Sequence, residues 1–165
     1  MVIDASPLIY LAKAGYLEFV ARVYDVYVAR AVFEETTVKE YLKDAREIIK
    51  AATGGLIKVL EVKDTVRVRE LVKRRYAPFA VGEAETVVIF FEVKADYVLF
   101  TNHKAASRAL REGVAAISLD DAAREVYWLG LFSRNDVLRY IRDLRDKAGY
   151  CPLRMRLLEK EFKSA

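Results

Sequence analysis

Met1-Val2-Ile3-Asp4-Ala5-Ser6-Pro7-Leu8-Ile9-Tyr10 opens the chain, and its reading decides the fold. Val2 and Ile3 make a very short apolar run that ends on a carboxylate. Ser6-Pro7 then reads as a serine helix cap with proline at the first helical position. A carboxylate at such a strand-to-helix junction belongs at the carboxyl edge of a parallel sheet, where ligands collect. Asp4 is therefore a candidate for a metal or phosphate site, and what the chain does depends on the residues that converge on it.

Working outward, strands and helices alternate, which argues for an α/β fold with a mostly parallel sheet of about five strands covered on both faces. Strands are expected at residues 2–4, 26–29, 56–62, 97–100 and 115–119. Helices are expected from Pro7 to a stop at Gly15, over 32–52 as one long element, over 66–76 until Pro78, and over 104–111. Asp120 can cap a further helix that reaches Gly130. Ser133 with Asp136 three residues on resembles a capping box and starts a C-terminal helical extension, about 133–165, whose last helix is expected over 153–162. The stretch from Glu83 to Val93 is apolar nearly all round, so it reads as a buried, central helix. No linker, repeat or low-complexity segment divides the chain, and residues 1–165 read as one domain.

The composition is that of a globular protein, with 54% hydrophobic and 32% charged residues in 165. No apolar run approaches the roughly 20 residues of a membrane span, and a signal peptide is not expected from the opening residues. A single cysteine, Cys151, fits a reducing, cytoplasmic setting. The net charge of +4 and the pI near 9.1 are compatible with a polyanionic partner. Basic residues cluster at Lys73-Arg74-Arg75, at Arg139, Arg142 and Arg145, and at Arg154 and Arg156. Such clusters usually form solvated helix faces, and they gain meaning only beside an anionic-substrate site.

Chemistry-bearing groups fall at strand ends or in the helices that follow: Asp4, Glu34-Glu35, Glu83 and Glu85, Thr101-Asn102-His103, and Asp120-Asp121. A carboxylate at the mouth of a buried helix must be paired or hold a cation. Several carboxylates gathered at one point repel each other, and oxygen-only donors select hard cations, so Mg²⁺ or Mn²⁺ is expected. Facing a basic surface, such a cluster suits metal-assisted phosphodiester hydrolysis.

These residues carry a resemblance. Val2 to Leu11 is similar to the Asp-x-Ser/Thr opening of PIN-domain nucleases. Ala31-Val32-Phe33-Glu34-Glu35, Gly82-Glu83-Ala84-Glu85 and Thr101-Asn102-His103 resemble the family's later motifs in order and spacing. The small prokaryotic and archaeal branch with the VapC-like toxins is the nearest in kind. The resemblance implies a three-layer α/β/α fold and a metal-dependent ribonuclease acting on RNA, single-stranded RNA first. It also implies a possible antitoxin protein and a homodimer. Asp4, Glu35 and Glu85 match the family's acids, with Glu83 a competitor for the third place because only one of the two should point inward. Ser6 matches a hydroxyl residue that supports the site or contacts phosphate. Asn102, Lys104 and Arg108 are expected near the substrate backbone. The family usually carries Asp where this chain has His103, which leaves three possibilities. His103 serves as a ligand or proton donor, Asp120 or Asp121 takes over, or metal binding is too weak for catalysis and the domain only binds RNA or protein.

Overall fold

The computed structural model describes residues 1–164. Five parallel strands form the central sheet: β1 (Val2–Ile3), β2 (Val26–Ala29), β3 (Ile57–Leu60), β4 (Val98–Leu99) and β5 (Ala116–Ile117), in the order β3-β2-β1-β4-β5. The chain winds outward from β1 through β2 to β3, then returns across the sheet to β4 and β5. The order therefore reverses between β1 and β4, and in open parallel sheets ligands bind at the carboxyl ends of such a pair. The Asp4 N–H donates to the Leu99 carbonyl at 3.2 Å, so the Asp4 backbone is fixed at that reversal.

Ten helices cover the sheet: α1 (Ala5–Ala14), α2 (Leu17–Val23), α3 (Arg30–Thr37), α4 (Lys43–Thr53), α5 (Thr65–Val72), α6 (Val81–Glu92), α7 (His103–Arg111), α8 (Leu119–Trp128), α9 (Arg134–Asp146) and α10 (Pro152–Ser164). The architecture is three-layer α/β/α. Helix α6 packs on β1, β2 and β4 and against α3 and α5, while α1 packs against α3, α4 and α9. The apolar character read from the sequence of α6 is borne out, since Ala84, Thr86, Val87, Val88, Ile89 and Phe90 are all buried. One continuous core cluster runs from Met1 and Ile3 to Met155, Leu158 and Phe162 of α10.

Several boundaries differ from the sequence reading. Helix α1 starts at Ala5, with extended Asp4 as its N-cap, so Ser6 is not the cap. Pro7 is tolerated as the third helical residue because the first turn has no use for its missing N–H. The expected helix over 32–52 is two helices, broken at residues 38–42. The Thr36 and Thr37 hydroxyls bond back to the Val32 and Phe33 carbonyls, and with Val38 they place three β-branched residues at the break. Helix α2 has no counterpart in the sequence reading, because only Leu17 of it is buried and no apolar stripe marks it. The helix over 66–76 stops at Val72. Ser118, rather than Asp120, caps α8, in a box with Asp121.

Candidate active site

Three carboxylates approach the carboxyl end of β1. Asp4 is 6% exposed, and its pKa is raised from 3.8 to about 7. Burial is the main cause. The Ala5 N–H opposes the rise, and the neighbouring Glu83 and Glu35 carboxylates add to it. Ionised Asp4 is therefore poorly solvated and faces two like charges.

Glu35 reaches this edge from the second turn of α3, with its carboxylate over the start of α6. A Cβ placed on Gly82 would lie 3.5 Å from Glu35 Oε2 and 3.2 Å from Val32 Cγ2. The missing side chain of Gly82 is what lets α3 and α6 close together and puts Glu35 beside Glu83. Gly82→Val is expected to overpack this contact, costing about 1–3 kcal/mol. Chemical denaturation measures that loss, and an unchanged midpoint would show the two helices have room.

Glu83, in the first turn of α6, is partly buried. Its Oε2 accepts from the Ala80 N–H at 3.1 Å and from Arg108 Nη2 at 2.6 Å. The Arg108 guanidinium lies over the Phe79 ring, 5.1 Å from its centre. Glu85 points elsewhere. Two residues further along α6, its Oε2 accepts from the Ala31 N–H at 3.0 Å and so holds the N-terminus of α3. Thus Asp4, Glu35 and Glu83 share one neighbourhood, and Glu85 serves the helix that carries Glu35. Glu34 is exposed beside Glu35.

Ser6 is exposed in the first turn of α1, at the same sheet edge. Asn102 caps α7, its Oδ1 accepting from the Lys104 N–H at 3.0 Å. His103 turns away from the acids toward α10. Its Nε2 lies 2.8 Å from Arg154 Nη1. A guanidinium has only donors, so the ring nitrogen accepts and cannot also ligate a metal. Arg154 in turn pairs with Asp120, which also accepts from the Tyr150 hydroxyl at 3.1 Å, and it approaches Ser118 Oγ at 3.4 Å. Asp120 is thereby committed to Arg154 and Tyr150, and Asp121 to Ser118. Neither stands free to replace a missing acid. The sequence marks Arg154 only as part of a basic cluster, and its pairing has no local signal, because its partners are a β4-end histidine and a β5-end aspartate far along the chain.

Along α7 runs an open groove of about 450 Å³, lined by Ala77, His103, Lys104, Ser107, Arg108 and Arg111. One of its cations, Arg108, is the one that pairs with Glu83. Of the other basic clusters, Arg74 and Arg67 are spent on the Glu112 carboxylate, at 2.5 and 2.6 Å.

The donor set suits a hard cation: a buried carboxylate with two more carboxylates near it, all oxygen. As the side chains stand, no three His, Cys, Asp or Glu residues among those described lie close enough to hold a metal ion. Glu83 Oε2 is held by Arg108 and the Ala80 N–H rather than by a shared cation.

No curated protein and no solved structure matches the chain. No helix among the described residues is long and apolar enough to cross a membrane. A family model described as a PIN domain matches residues 1–119, a span that contains all five strands, the reversal between β1 and β4, and Asp4, Glu35, Glu83 and His103. With a nuclease-type fold whose members generally work with divalent metal ions, and with acids brought to the same sheet edge, the chain belongs to the PIN-domain family.

Proposed function

We propose that this protein is a metal-dependent endoribonuclease, with Asp4, Glu35 and Glu83 as the metal-holding acids. The observation that carries the reading is the raised pKa of Asp4, to about 7, caused by burial and by the two glutamates. A carboxylate group held so unfavourably is a functional-site signal, and a divalent cation removes the penalty. A bound Mg²⁺ or Mn²⁺ would polarise the scissile phosphate and favour loss of a proton from the attacking water. The chain's own residues do the rest. Asp4, Glu35 and Glu83 supply the negative charge that localises the ion. Lys104 and Arg111, in the groove beside them, attract the backbone of a single-stranded substrate, and Ser6 and Asn102 offer polar contacts at the same edge.

His103 is not assigned a place among the ligands, because Arg154 occupies its Nε2. This favours a single ion over a pair. An aspartate at this position would pair with Arg154 instead of joining the site, so His103→Asp is not expected to raise activity. A role as the toxin of a toxin–antitoxin pair, with an inhibitory protein partner and a homodimer, rests on the resemblance of the sequence motifs alone.

Incubation of a mixed pool of RNA with Mn²⁺, Mg²⁺ or EDTA tests the reading. Cutting is expected with either metal, none with EDTA, and none by Asp4→Asn. Cutting that survives EDTA, or an Asp4→Asn protein that cuts as well as the native chain, would overturn it. A strand that is bound and never cut under any metal would support an RNA-binding module instead.

A further inference from the structure

We propose that Arg108 is a substrate-sensitive latch on the metal site: it draws Glu83 away from Asp4 and Glu35 at rest, and releases it when a nucleic-acid phosphate in the α7 groove takes the guanidinium. The inference deepens the metal-dependent nuclease reading and rests on it.

Four observations support the latch. Arg108 Nη2 holds Glu83 Oε2 at 2.6 Å, with both side chains largely shielded from water, 20% and 14% exposed. That shielding separates it from exposed surface pairs, which contribute little. Glu83 nonetheless follows Gly82, against which the Glu35 carboxylate packs, so a released Glu83 is already next to another acid. Arg108 also lines the groove that holds Lys104 and Arg111, so the arginine that restrains the acid borders the place where a backbone phosphate would lie. Finally, Arg108 Nε is buried and has no hydrogen-bond partner among the described residues. A buried, unspent donor is costly, and the closed arrangement is therefore not the best that this arginine can find. A phosphate can take two N–H groups of a guanidinium at once, where Glu83 takes one.

The chemistry is linkage between two ligands of opposite charge. With Arg108 bonded to Glu83, a divalent cation meets one acid fewer and one extra positive charge. With Arg108 bonded to phosphate, Glu83 is free and the positive charge is neutralised. Metal and strand should then each strengthen the binding of the other by the same factor. The device would keep the metal weakly held until a strand is in place. In this role Arg108 is a positioning residue, acting on the metal through Glu83.

Mn²⁺ binding, followed by the loss of the free-ion electron paramagnetic resonance signal, tests the latch without relying on turnover. The native chain is compared with Arg108→Gln, Arg108→Lys and Asp4→Asn. Each is measured alone, with a short phosphoramidate oligonucleotide (anionic and resistant to cleavage), and with a neutral methylphosphonate strand. The native chain is expected to bind Mn²⁺ about tenfold tighter with the anionic strand and no tighter with the neutral one. Arg108→Gln is expected to bind Mn²⁺ tightly without any strand and to gain much less from the anionic one. Arg108→Lys keeps the charge and the stem, so it should stay close to native if Arg108→Gln proves poorly folded. Asp4-dependent Mn²⁺ binding of equal strength in native and Arg108→Gln proteins, with equal response to the strand, would overturn the latch and leave the nuclease reading intact. The absence of any Asp4-dependent Mn²⁺ binding would overturn both.

Discussion

Asp4→Asn should make the metal-free protein more stable than the native chain at pH 8, with the advantage disappearing toward pH 4. The Asp4 carboxyl has its pKa raised from 3.8 to about 7 by burial and by the Glu83 and Glu35 charges. A group whose folded pKa lies above its unfolded one favours the folded state fully only below the unfolded value, and that contribution is lost as pH rises through the folded value. Native stability should therefore fall between about pH 4 and pH 7 and then level off. A displacement from 3.8 to about 7 corresponds to roughly 4 kcal/mol as an upper bound, at about 1.4 kcal/mol per tenfold change. Asparagine has no charge to desolvate, so its urea midpoints in EDTA should lack this decline. Saturating Mn²⁺ should narrow the gap. Binding at about 100 times the dissociation constant adds roughly 2.7 kcal/mol to the native chain and nothing through this site to the variant. Parallel pH curves for the two proteins would mean that Asp4 is not held in an unfavourable ionised state, and the main support for the site would be gone.

Much of this arrangement is legible in the sequence because its causes are local. A two-residue apolar strand followed by an acid and a helix start places Asp4 at a sheet edge wherever the sheet forms. The apolar run after Gly82-Glu83 identifies α6 as central, and the Ser133–Asp136 capping box at the start of α9 follows from two residues three apart. What could not be read depends on contacts between distant elements. The break at residues 38–42 separates α3 from α4, and hydroxyl back-bonding at Thr36 and Thr37 competes with an otherwise continuous helical pattern. Whether Glu83 or Glu85 faces Asp4 depends on where α3 packs. Glu85 is used by the Ala31 N–H at the start of α3, a partner 54 residues away. The fate of His103 depends on Arg154, 51 residues downstream on a helix whose docking nothing near His103 foretells. Strand ends and helix caps are written in neighbouring residues, whereas the choice between two nearby glutamates is made by the packing around them.

That choice gives the second large effect. Glu35→Gln and Glu83→Gln are each expected to lower kcat/KM for RNA by about 100-fold or more, equivalent to about 3 kcal/mol of lost transition-state stabilisation. Both changes keep the shape of the side chain and remove the charge that localises the ion, and a glutamine at position 83 can still accept from Arg108 and the Ala80 N–H through its amide oxygen, so folding should be little altered. Glu85→Ala should do the reverse. Removing its acceptor leaves the Ala31 N–H and the α3 N-terminus without their partner, at a cost of about 1–2 kcal/mol in stability, while activity measured well below the melting temperature stays within a few-fold of native. The two glutamates lie two residues apart on one helix, so a general disturbance of α6 would affect both assays alike. A loss of turnover without a loss of stability at Glu83, and of stability without turnover at Glu85, can only come from side chains that point to different neighbours. Should Glu85 instead carry the catalytic loss, α3 would have to present its N-terminus elsewhere in solution, and the grouping of Asp4, Glu35 and Glu83 would have to be redrawn.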